Sequence, residues 1–149
     1  MTVTKTNIAF AACVALFAAG VAHATAPAQV VGVKLEDSTT DPAITHMRIV
    51  LDRDVVKPGR VTLKAENLSK SVVHEVLIAR DDGRNDLPYD AKRAVVAERR
   101  AHSLGEVGDL PAGKRGSLTL DLKPGKYVLF CNEPGHYKDG MVTYLTVAR

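Results

Sequence analysis

From Val61 to Glu66 the chain reads Val61-Thr62-Leu63-Lys64-Ala65-Glu66, apolar and polar in strict alternation. That period of two predicts a strand with one face on a core and the other in water. Pro58-Gly59 before it and Asn67-Leu68-Ser69-Lys70 after it are turn signals. Further short runs predict strands over 30–35, 47–51, 72–79, 116–122, 126–131 and 142–147. Pro124-Gly125 separates two of these runs and Pro111-Ala112-Gly113 precedes one, so tight turns rather than crossover helices join them. An all-β antiparallel sandwich or barrel is the architecture this pattern favours. The stretch from Asp81 to Leu110 breaks it, because Pro88-Tyr89-Asp90 offers a helix start with Asp90 as N-cap, ahead of Ala91, Ala94, Val95 and Glu98. A short surface helix is predicted there, over 91–100. No internal repeat or low-complexity tract is found.

The first residues change the picture of where the chain works. Lys5 precedes an uncharged apolar run from Ile8 to Ala22, and Ala22-His23-Ala24 has the small-x-small form that a signal peptidase accepts. Residues 1–24 are read as a cleaved leader and residues 25–149 as one exported domain, periplasmic, with no segment suited to stable membrane insertion. Cleavage removes Cys13 and leaves Cys131 as the sole cysteine in an oxidising compartment, where an accessible thiolate is oxidised or cross-linked. Loss of Lys5 lowers the formal net charge from +3 to +2 with both signs dispersed, so nucleic acid is not implied. One bias stands out: Lys92, Arg93, Arg99, Arg100, Lys114 and Arg115 lie close together in sequence. Such a run is either a solvated face or a steering patch for an acidic partner.

Candidate chemistry gathers near the end of the chain. Cys131-Asn132-Glu133-Pro134-Gly135-His136 continues to Met141, so a thiol, an imidazole and a thioether share one turn-rich loop. Pro134-Gly135 turns the chain back toward the cysteine, and Gly140 permits a second turn. Along 72–79 the period of two puts His74 in an inward row with Val72, Val76 and Ile78, while Tyr127, Leu129 and Cys131 form another. A buried histidine is commonly a core residue with a satisfied ring hydrogen bond, and a lone cysteine or methionine is commonly core filler. Taken together, a soft thiolate, two imidazoles and a weak thioether are a ligand set for one copper ion, Cu(II) or Cu(I), from His74, Cys131, His136 and Met141. Zinc would leave the thioether unused. A nucleophilic Cys131–His136 pair lacks an oxyanion hole and an orienting third residue. His46 and His102 have no second ligand at useful spacing and are assigned to the surface.

On these residues the chain resembles the cupredoxins, the small blue copper proteins that include azurin, plastocyanin, rusticyanin and auracyanin. Cys131-x-x-Pro134-Gly135-His136 is similar to the azurin form of the ligand loop. The four residues between His136 and Met141 are closer to rusticyanin and auracyanin. The resemblance implies a Greek-key β-sandwich with equatorial His74, Cys131 and His136, an axial Met141, and a short helix in the long connection before the last strands. Glu75 stands where many relatives have asparagine or serine, and Glu133 is unusual at its place in the loop. Both keep backbone N–H groups able to reach the sulfur, and with Pro134 they form the immediate surroundings of the ligands. The resemblance further implies a docking patch of Pro134, Gly135, His136 and Tyr137. Through it redox proteins, a cytochrome or a copper oxidase or reductase, would bind transiently. Four protein ligands leave no place for substrate, so electron transfer is expected rather than catalysis. The rival functions are copper tolerance, buffering or delivery, and a metal-free interaction module.

Overall fold

The computed structural model describes residues 27–149 except residue 85, and the expected leader with Cys13 lies outside them. Eleven strands and one helical turn follow in order. They are β1 (Gln29–Glu36), β2 (Arg48–Leu51), β3 (Val55–Val56), β4 (Gly59–Asn67), β5 (His74–Arg80), β6 (Tyr89–Asp90), β7 (Val95–Val96), α1 (Glu98–Ala101), β8 (Ser103–Leu110), β9 (Arg115–Leu122), β10 (Gly125–Phe130) and β11 (Val142–Val147). One sheet runs β2-β1-β4-β9 and the other β3-β11-β10-β5-β8.

The alternation read from the sequence is what packs these sheets face to face. Val31, Val33 and Leu35 of β1 and Val61, Leu63 and Ala65 of β4 meet Val76 and Ile78 of β5, Leu129 of β10 and Leu145 of β11 in one core. Each buried Val, Leu or Ile side chain there contributes about 1.5–3 kcal/mol relative to exposure. The turns at 111–113 and 123–125 do not make hairpins, since β8 and β10 lie in one sheet and β9 in the other. They carry the chain across the sandwich in Greek-key fashion, and β1–β4 and β3–β11 pair parallel within otherwise antiparallel sheets.

β5 and β10 are buried on both faces, which explains the unbroken apolar runs Val76–Ala79 and Tyr127–Phe130. Leu77, Ala79, Val128 and Phe130 face a second cluster containing Val96, Ala101 and Tyr137, with Leu87 and Tyr89 against it. The connection from residue 86 to 101 is therefore a strap over the outer face of that sheet. The short helix expected in this connection is present, but its bounds of 91–100 are corrected. Asp90 caps a turn, its Oδ1 accepting from the N–H of Lys92 at 3.0 Å and Arg93 at 3.3 Å, and the chain returns as the β6–β7 ladder. Among the described residues helix is confined to α1, which ends at His102 in the left-handed region at φ 53°. β8 was not foreseen because Gly105 and Gly108 interrupt its alternation; it pairs with β5 through two bulges. Among the described residues, no helix is long and apolar enough to cross a membrane.

Candidate metal centre

The site lies where β5 begins and β10 ends. His74 is the first residue of β5. Cys131 follows the last residue of β10, and its N–H donates to the Met141 carbonyl at 3.0 Å. That bond extends the β10–β11 ladder by one rung and sets Cys131 and Met141 opposite each other at the base of the 131–141 loop. Within the loop, Met141 N–H donates to His136 O at 3.0 Å and His136 N–H to Glu133 O at 3.0 Å. Gly135 at φ +89° and Gly140 at φ +100° take the left-handed conformations that let so short a segment close.

Three donor atoms converge. A ring nitrogen of His74, the sulfur of Cys131 and a ring nitrogen of His136 all lie within 4.8 Å of one another. His74 Nδ1 is 3.2 Å from His136 Nδ1, and Cys131 Sγ is 3.4 Å from His136 Nδ1. His74 and Cys131 are fully buried and His136 is half-buried. Met141 is fully buried in the same core cluster as Cys131. The backbone N–H of Glu75 points to the sulfur at 3.5 Å.

Burial pushes the Cys131 thiol up to about 12; the N–H groups of Glu75 and Glu133 oppose that, and their carboxylates add to it. Burial likewise holds both imidazoles below the ordinary histidine range, with His136 adding to the effect on His74 and Asp37 opposing it. The donors thus form two neutral imidazoles and a thiol that ionises only with a strong positive partner. Two imidazole nitrogens and a sulfur facing one point are a fit for a soft or borderline metal ion, which supplies that charge.

A ring of buried polar residues holds this arrangement. Asp37, Asn67, Ser69, His74 and Asn132 are the buried polar or charged side chains among the described residues. His74 Nε2 bonds Asp37 Oδ2 at 3.2 Å. Asp37 Oδ1 accepts from Thr39 N at 2.8 Å and Thr39 Oγ1 at 2.6 Å. Thr39 Oγ1 in turn meets Ser69 Oγ at 2.8 Å, and Ser69 Oγ accepts from Val72 N at 2.8 Å. Asn67 Nδ2 reaches the carbonyls of Val72 at 2.8 Å and Leu110 at 2.7 Å. Burial raises the Asp37 carboxyl, but these donors outweigh it and leave the group below its ordinary value, hence ionised.

Asn132 fixes the other side of the loop. Its Oδ1 accepts from Val96 N at 2.6 Å, and its Nδ2 donates to Val96 O at 3.1 Å and Glu98 Oε1 at 2.9 Å. Gly135 N–H donates to Ala94 O at 2.8 Å, and the Tyr137 hydroxyl donates to Asp86 at 2.6 Å while accepting from Leu87 N at 3.0 Å. Tyr137 is 8 % exposed, its ring packed against Phe130 and Tyr89. Tyr137, expected in a docking patch, is buried beneath the strap, while Pro134, Lys138, Asp139 and Gly140 of the loop are exposed and Gly135 and His136 half-buried. Glu75 is partly buried and pushed up to about 7 by burial and by the nearby carboxylates of Glu106, Glu133, Asp109 and Glu98. His46 and His102 are exposed, with His46 3.9 Å from Asp139.

Sequence reasoning missed Asp37 and Asn132. Asp37-Ser38-Thr39-Thr40 after an alternating strand does signal an Asx turn. Its pairing with a histidine 37 positions away has no sequence signal.

No protein-family model matches the sequence, and no curated protein matches it either. Solved structures do. Reduced auracyanin from the photosynthetic bacterium Roseiflexus castenholzii is 23 % identical over 83 % of this chain and 99 % of its own, with a TM-score of 0.59. Rusticyanin from Thiobacillus ferrooxidans is 20 % identical over 82 % and 79 %, with a TM-score of 0.57. Auracyanin A from Chloroflexus aurantiacus, described as a "blue" copper protein, is 16 % identical over 82 % and 100 %, with a TM-score of 0.58. The fold of this chain is theirs.

Proposed function

We propose that this chain, a cupredoxin in fold, is an exported mononuclear copper protein that passes single electrons between redox partners. His74, Cys131 and His136 would hold the ion, with Met141 as fourth ligand. The observation that carries the reading is the convergence of two imidazole nitrogens and the only described cysteine within 4.8 Å, at the base of a loop closed on both sides. Likeness in fold to a blue copper protein supports it. Copper bound there supplies one-electron exchange between Cu(II) and Cu(I).

The chain's own residues do the rest. The polar ring around His74 and the Asn132 pairing with Val96 hold the donors in one arrangement, so little nuclear movement accompanies a change of charge. N–H donors from Glu75 and Glu133 stabilise electron density on the sulfur, while the carboxylates of Glu75 and Glu133 oppose added negative charge. Exposed Pro134 with half-buried Gly135 and His136 forms a small patch on the loop's surface, beside exposed Lys138, Asp139 and Gly140. A patch that small suits a weak, brief encounter with a redox partner. Lys92 and Arg93 sit on the turn whose Ala94 carbonyl binds Gly135 N–H, a position from which they steer an acidic partner to the loop. The leader expected in the sequence, and a single thiol kept buried, suit life in the periplasm.

A Cu(II) titration of the purified protein tests the reading. One equivalent should give an intense thiolate-to-copper absorption that a reductant bleaches and an oxidant restores, and Cys131→Ser should lack it. A colourless protein refutes the site. Colour that is not restored after reduction argues for copper storage or delivery instead.

A further inference from the structure

Asp37 is 2 % exposed, carries no ligand role, and spends one carboxylate oxygen on a turn and the other on His74. A neutral imidazole bears one ring proton. Were that proton on Nδ1, the bare Nε2 would face the Asp37 oxygen at 3.2 Å, lone pair against anion, with both side chains buried from bulk solvent. With the proton on Nε2, the same contact becomes a charge-assisted hydrogen bond. Nδ1 is then the bare atom, and it is Nδ1 that faces His136 Nδ1 at 3.2 Å and the Cys131 side.

We infer that Asp37 is a positioning residue that fixes the Nε2–H tautomer of His74 and strengthens Nδ1 as a donor, thereby favouring Cu(II) over Cu(I). The inference rests on the copper reading for its redox half only. A carboxylate accepting an imidazole N–H pushes electron density toward the opposite nitrogen, and the more positive ion gains more from it. Thr39, Thr40 and Ser69 keep the carboxylate from swinging away: Thr39 and Thr40 donate backbone N–H groups to Oδ1 at 2.8 and 3.2 Å, and Ser69 anchors the Thr39 hydroxyl. The β1–β2 connection is thereby tied to the residues entering β5, so the pair is built into the sandwich rather than left on a free loop.

Long-range 1H–15N correlation spectra of the metal-free wild-type protein at neutral pH read the tautomer without any substitution. A proton on Nε2 of His74 is expected; a proton on Nδ1 overturns the inference. Asp37→Asn then separates tautomer control from the turn. Its side-chain oxygen still serves Thr39 and Thr40, while its amide N–H groups face Nε2 and drive the proton to Nδ1. Cu(II) affinity should fall 10–100-fold with a smaller loss for Cu(I), and each tenfold difference raises the reduction potential by about 59 mV. An unchanged ratio of the two affinities in copper-loaded Asp37→Asn overturns the redox half. Thr39→Val is the control, since it loosens the turn but leaves the carboxylate on His74. A shift as large as that of Asp37→Asn would assign the effect to packing and overturn the proposal. Failure of the wild-type protein to bind copper would remove the copper reading, and the tautomer spectrum would still decide the role of Asp37.

Discussion

At the scale of single residues, the site places ionisable groups where burial works against their charge. Glu75 is held up at about 7, first by burial and then by four carboxylates around it. A raised carboxyl pKa stabilises the fold fully below the unfolded value near 4.5 and loses that stabilisation as pH climbs to the folded value. His74 and His136, held low, act in the opposite sense below the ordinary histidine range. Glu75→Gln isolates the carboxyl: in metal-free protein its stability advantage over wild type should grow from pH 4.5 to 7, reaching about 1–2 kcal/mol after discounting for solvent on its open side. Urea midpoints at several pH values measure this, and a pH-independent difference would place Glu75 outside that cluster of charge. Met141 makes a second case. Leucine nearly conserves its volume in a fully buried position, so Met141→Leu should cost less than about 1.5 kcal/mol. Copper should remain bound while the reduction potential rises, because only a weak donor to Cu(II) is lost. An unchanged potential in a redox titration would show that the thioether does not reach the ion.

At the scale of elements, the ligand loop is held by a strap that the sequence did not disclose. Strands with clean alternation, such as β4, or with turn-bounded apolar runs, such as β11, were legible to within a residue or two. β8 was not, since two glycines erase its period, and neither was the β6–β7 hairpin. There Asp90 is equally good chemistry for a helix N-cap and for an Asx turn, and it makes the turn. The convergence of His74, Cys131 and His136 was readable because donor chemistry restricts residue type and loop spacing. Asp37 and Asn132 were not, because a hydrogen bond between distant segments leaves no mark on local composition. Asn132 joins strap and loop at Val96, beside the Gly135–Ala94 and Tyr137–Asp86 bonds. Removing its amide in Asn132→Ala orphans the buried N–H and C=O of Val96, at about 1–3 kcal/mol for each group left unsatisfied. Thermal unfolding should shift down accordingly. Amide exchange should quicken at Val96 and Gly135 but not at Leu63, deep in the opposite sheet. Uniformly faster exchange would mean that Asn132 supports the whole sandwich rather than this junction.

At the scale of the whole molecule, the near-balance of charge conceals a local asymmetry about the loop. Carboxylates of Glu98, Glu106, Asp109 and Glu133 lie near enough to Glu75 to raise its pKa. Lys92 and Arg93 stand on the turn bonded to Gly135, and both are exposed. Under the proposed function, a partner approaching His136 would meet both signs, and an acidic one would be turned by them toward the basic turn before any close contact forms. Because the Debye length is about 10 Å at 0.1 M salt, such steering fades as ionic strength rises, whereas a contact between apolar surfaces does not. Electron-transfer rates with an acidic cytochrome should therefore fall steeply with salt. Net charge alone could give the same trend, so position must be separated from total. Lys92→Glu and Lys64→Glu change the net charge equally, but Lys64 lies on the exposed face of β4, in the other sheet. Stopped-flow measurements should show the Lys92 variant slowed several-fold at low salt and indistinguishable from wild type at high salt, with the Lys64 variant little changed throughout. Equal slowing by both would reduce the effect to net charge and leave the basic turn without a role in recognition.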